Sequence, residues 1–112
     1  MADSILKSIR RSLGPDEDYS HFDQEIIEHI NSAFSDLNSL GVGPEEGFSI
    51  SDDKATWDDY LVDDRKKMNN VITFVYLSVK LIFDPPTNAA LLAALQAKYD
   101  KLEWKLSVAV EE

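Results

Sequence analysis

The chain has 112 residues, no cysteine and a formal net charge of −10. That length fits about one domain. The lack of cysteine excludes disulfides and thiolate chemistry, and the charge works against gripping a phosphate backbone.

The acidity is uneven. Residues 1–64 hold 16 acids against 4 bases, a net of −12, and residues 65–112 hold 5 against 7, a net of +2. No run approaches the ~18 consecutive apolar residues of a membrane span. The first residues lack the charged-then-apolar order of a secretion signal.

In chain order, Ile5, Leu6, Ile9 and Leu13 predict a short amphipathic helix over 4–12, a packing element. Gly14-Pro15 stops it, since glycine accepts left-handed backbone and proline bars continuation. Ser20 and Asp23 form a loose capping box for a second helix over 22–40. Ile26, Ile27, Ile30, Phe34 and Leu37 form its apolar stripe, and Gly41 stands at its end.

Residues 41–62 are an excursion, a loop or short β-hairpin. Gly41, Gly43, Pro44 and Gly47 punctuate it, and Phe48-Ser49-Ile50 alternates like a strand. Thr56, with an acid three residues on, opens a helical turn through Trp57 and Tyr60.

Two long helices follow, over 64–83 and 87–106. Met68, Val71, Ile72, Val75, Val79, Ile82 and Phe83 set one face of the first. Leu91, Leu92, Leu95, Tyr99, Leu102 and Leu106 set one face of the second. Pro85-Pro86 separates them, so Asp84 ends one helix and Thr87 or Asn88 caps the next. A linker this short favours an antiparallel hairpin. The fold class is therefore mostly α, a four-helix-bundle-like single domain over 1–112 with a central helical hairpin. The tail, Ser107 to Glu112, extends the last helix, forms a short strand or stays loose.

Chemistry-bearing patterns are sparse. His21 and His29 lie eight apart, where a helical metal pair stands four apart. The acid pairs at 45–46, 52–53, 58–59 and 63–64 do not fit the alternate-ligand calcium loop. Gly41-Val42-Gly43-Pro44 lacks the lysine and hydroxyl residue of a phosphate loop. No nucleophile-elbow pattern surrounds a serine. No catalytic, cofactor or metal residue is expected. Phe48, Trp57 and Tyr60 fit two roles, plugs that anchor a long loop or anchors for a partner.

Several stretches together resemble the small head–tail connector, or head-completion, proteins of long-tailed bacteriophages. They are Ile9-Arg10-Arg11-Ser12-Leu13-Gly14, Phe22-Asp23, Leu40-Gly41-Val42-Gly43-Pro44 and Gly47-Phe48-Ser49-Ile50. Ala55-Thr56-Trp57-Asp58-Asp59-Tyr60-Leu61, Val79-Lys80-Leu81-Ile82-Phe83-Asp84-Pro85-Pro86-Thr87 and Leu102-Glu103-Trp104-Lys105-Leu106 complete the set, which covers nearly the whole chain.

The resemblance implies a mostly helical structural protein without catalytic residues. It implies a ring of about twelve copies under the portal of a DNA-filled head, closed by head-to-tail contacts. That ring extends the DNA channel, and double-stranded DNA passes through without sequence-specific binding. Its partners are copies of itself, the portal, and a downstream completion or tail protein. Its place is the head–tail junction of the virion, and the host cytoplasm during assembly.

On this reading Phe48, Ile50, Trp57, Asp58, Asp59 and Tyr60 contact a neighbouring subunit or partner. The 107–112 tail, with Val108 and Val110, docks on the portal. Replacing Trp57 would then weaken assembly and leave the monomer helical. The acidic stretch 45–64 is also a candidate channel lining. A second reading takes the acidic half as a DNA-like surface, in a soluble helical regulator that binds a basic protein. A third, a small metal-dependent enzyme, has no motif behind it.

Overall fold

The structure is a computed structural model that describes residues 4–13, 22–44, 46–60, 65–83 and 85–110, the side chains of 65–67, 109 and 110 excepted. The expectations for Gly14, Pro15, Ser20, His21, Asp63, Asp64 and Asp84 lie outside the described residues. Within them are five helices: α1 (Ile5–Leu13), α2 (Asp23–Ser39), α3 (Trp57–Tyr60), α4 (Arg65–Phe83) and α5 (Ala89–Val110).

Helix ends follow the local chemistry. Gly41 has φ of 89°, and the Val42 N–H reaches back to the Leu37 carbonyl at 2.9 Å. The Gly41 N–H takes the Asn38 carbonyl at 3.0 Å. These two bonds form a Schellman motif, sealed by the buried pair Leu37 and Val42. At α3 the Thr56 hydroxyl accepts from the Asp59 N–H at 3.3 Å, and Asp59 Oδ2 accepts from the Thr56 N–H at 2.9 Å. That reciprocal pair is a capping box. Asn88 Oδ1 caps α5 through the Leu91 N–H at 3.0 Å.

The core forms where α1, α2 and α5 pack against α4. Three neighbours bury more than one stripe of α4. Phe74 and Leu77, outside the expected face, are fully enclosed, whereas Ile82, expected inside, is 62% exposed. Phe74 stacks on Tyr99 of α5 with ring centroids 4.8 Å apart.

Phe48-Ser49-Ile50 is not a strand. The described residues contain no strand, only an isolated antiparallel bridge between Ser4 and Thr56. A side chain takes the place of a neighbouring strand. Asn31 on α2 donates through Nδ2 to the Ile50 carbonyl at 2.9 Å and accepts from the Ile50 N–H at 2.8 Å. One amide thus satisfies both backbone groups of a buried residue. Asn31→Ala leaves both unpaired and is expected to cost about 1–3 kcal/mol. The cost would show as a lower urea midpoint at unchanged m-value.

Candidate docking surface

The described large apolar residues left in solvent are Phe22, Ile82, Leu91, Leu92 and Trp104. Four of these five lie on the α4–α5 hairpin. α5 explains most of them. Its inner residues Leu95, Tyr99, Leu102 and Leu106 pack on the core. Its first half is apolar on the exposed side too, through Ala89, Ala90, Leu91, Leu92, Ala93 and Ala94, and in its second half exposed Ala97 and Trp104 stand among exposed Gln96, Lys98, Asp100, Lys101, Glu103 and Lys105. Residues seven apart share a helix face, so Ala97 and Trp104 lie on one side, and an apolar stretch of helix in a folded protein is normally covered. Alanine and leucine, strong helix formers, favour the helix along the exposed start of α5.

Trp104 is 65% exposed and Leu91 50%. Phe22 is steadied from within the chain, its ring meeting Phe83 edge-on with centroids 5.5 Å apart. The His29 ring stands 6.4 Å from the same Phe83 ring.

Charge divides between the helices that flank α4. α2 carries Asp23, Glu25, Glu28 and Asp36 with no lysine or arginine. Asp23 is held by Arg10, whose Nη1 lies 2.8 Å from both carboxylate oxygens. Glu25 and Glu28 are exposed. α5 carries exposed Lys98, Lys101 and Lys105 on one flank and exposed Asp100 and Glu103 on the other. Asp36 lies near Tyr99, whose phenol burial pushes up, with that carboxylate adding to the shift.

The excursion residues turn inward. Ile50 is 5% exposed, and Trp57 and Tyr60 are 4% each. With half-buried Phe48 they gather around Phe34 and its neighbours: Tyr60 lies 4.5 Å, Phe48 5.3 Å and Trp57 6.2 Å from the Phe34 ring, centroid to centroid. Burial pushes the Tyr60 phenol up to about 12, so it stays a donor and bonds the Val42 carbonyl at 3.3 Å. Of the two roles open to these aromatics, the geometry is that of plugs. Asp58 and Asp59 face solvent, and Val108 is half-buried on the last turns of α5. The Val110 side chain lies outside the described residues.

The exposed set Ile82, Leu91, Leu92 and Trp104 was absent from the contact residues expected from sequence, which placed Ile82, Leu91 and Leu92 on core faces. Its signal is the weak amphipathicity of α5, whose apolar residues occupy more than the stripe a single core can cover. Among the described residues, no group of three or more histidines or acids could hold a metal ion. No described helix is long and apolar enough to cross a membrane.

A family model described as phage connector protein matches residues 5–112, and the chain belongs to that family. No curated protein and no solved structure matches the chain.

Proposed function

We propose that this phage connector protein is a structural adaptor that assembles as a ring beneath the portal. The ring extends the DNA channel and docks tail or further completion proteins. The observation that carries this reading is the apolar surface α5 leaves in solvent, the Trp104 indole on its outer side and Leu91 and Leu92 near the hairpin turn. Large aromatics at such positions dominate binding energy where partners meet. The exposed acids of the excursion, among them Asp52, Asp58 and Asp59, suit a surface that DNA passes without adhering. Asp58, Asp59 and Val108 remain candidate contacts on this reading, along with the open edge of Phe48. Assembly takes place in the host cytoplasm, and the finished ring belongs to the virion.

Electron microscopy of the protein mixed with its portal tests the proposal. A ring stacked on the portal is expected. Capture of a stoichiometric basic protein, with no portal binding, would instead favour the DNA-like regulator. Trp104→Glu is expected to weaken assembly at least about thirtyfold, the effect of losing a 2 kcal/mol anchor. Its circular dichroism should match the unaltered protein, because the indole is mostly in water already. Sedimentation velocity reads the first effect, and a variant that assembles normally would remove Trp104 from the contact.

A further inference from the structure

We infer that the outer face of α5 docks on the outer face of α2 in a second copy of this chain. The inference rests on the reading that the protein works by assembling with itself, and it names the two patches that meet. On α5, exposed Lys98, Lys101 and Lys105 line one flank beside exposed Trp104, and exposed Asp100 and Glu103 lie on its other side. At the start of α2, exposed Phe22 is followed by exposed Glu25 and Glu28. The lysine flank of α5 and this acidic start of α2 are opposite in sign, and each lies beside an exposed aromatic ring. Along a helix axis, Lys101 to Lys105 spans about 6 Å and Glu25 to Glu28 about 4.5 Å, so the two charged pairs have similar reach. Among the described residues, none of these four charged side chains is paired within its own chain.

The patches also occupy different places on the subunit. α2 and α5 both pack on α4, and their outer faces point away from it. When α5 of one copy covers α2 of the next, each copy keeps one free patch of each kind. Such a contact is heterologous and propagates head to tail, which is the arrangement a closed ring requires. Docking α5 on the α5 of another copy would be isologous and would stop at a dimer. It would also bring the lysine flank against a helix that itself carries Lys98, Lys101 and Lys105 along with Asp100 and Glu103, whereas α2 has no basic residue except His29 to oppose those lysines. Complementary charge of this kind fixes register and speeds encounter.

Because the chain has no cysteine, single introduced thiols report the contact cleanly. Glu28→Cys and Lys101→Cys proteins are prepared separately, mixed, and joined with a short bis-maleimide, free in solution and on the portal. Cross-linked pairs that contain one of each are expected. Pairs of Lys101→Cys with itself, or no cross-link on an assembled portal complex, would overturn the docking and leave the adaptor reading standing. Absence of both self-association and portal binding in the unaltered protein would sink the adaptor reading, and the docking with it. Charge exchange gives a second readout. Lys101→Glu with Lys105→Glu should weaken self-association at least about tenfold, as should Glu25→Lys with Glu28→Lys. An equimolar mixture of the two variants should recover assembly, since each then offers what the other lacks. A mixture as weak as either variant alone would rule the pairing out.

Discussion

Trp57→Ala is expected to lose about 3–5 kcal/mol of folding stability, the range for emptying a buried aromatic site. Domains of this kind hold only about 5–15 kcal/mol in total, so the variant would sit close to unfolding. The indole is enclosed beside Phe34 and ties α3 to α1. Its Nε1 donates to Ser8 Oγ at 2.8 Å, and Ser8, itself buried, donates onward to the Ile5 carbonyl at 3.0 Å. Alanine would leave a cavity and remove the donor that Ser8 accepts from. Trp57→Phe separates these effects. It keeps most of the volume, loses the bond, and should cost about 1–2 kcal/mol. Urea unfolding followed by far-ultraviolet circular dichroism reads both, free of the fluorescence of Trp104. On sequence alone, replacing Trp57 was expected to weaken assembly and spare the monomer. With the indole buried, the same substitution tests the fold, and Trp104 becomes the surface probe. A Trp57→Ala protein with an unchanged midpoint and defective assembly would put Trp57 back at the contact.

The two tryptophans show what a linear sequence carries and what it omits. Local signals were legible because their chemistry lies within a few residues. Thr56 with Asp59 caps α3, Gly41 closes α2 and Asn88 opens α5. The apolar period of α2 was legible too, since one face is buried and the other is wet. Period alone fails in α4, where neighbours on several sides enclose Phe74 and Leu77 along with the main stripe. It fails differently near the hairpin turn. Leu91 and Leu92 continue the inner pattern of α5, yet both are exposed. Spacing tells which residues share a face and says nothing of what lies opposite it. The Phe48–Ile50 alternation misled for a third reason. Its backbone partner is the side chain of Asn31, nineteen residues away, which no strand pattern anticipates. The candidate docking surface was hidden for the same reason as Leu91: exposure is a property of the packed chain.

Gly43→Ala is the second large loss expected, about 2–5 kcal/mol, and it arises from two separable causes. Gly43 has φ of +90°, a backbone conformation that costs a residue with a Cβ about 1–2 kcal/mol. A Cβ there would also stand 2.7 Å from Tyr60 Cε1 and Oη and 2.8 Å from Cζ. Tyr60 has little room to withdraw, since its ring packs between Phe34 and Phe48 and its hydroxyl holds the Val42 carbonyl. Forcing a buried ring aside typically adds about 1–3 kcal/mol. Gly47 supplies the control. It has the same φ of +90°, but a Cβ there meets nothing within 4 Å. Gly47→Ala should therefore show the backbone cost alone. The difference in urea midpoint between the two variants then measures the approach of Gly43 to Tyr60. Equal losses would mean that the ring yields freely. The contact would then not be what holds the excursion, with Asp58 and Asp59 on its outer side, against the body of the fold.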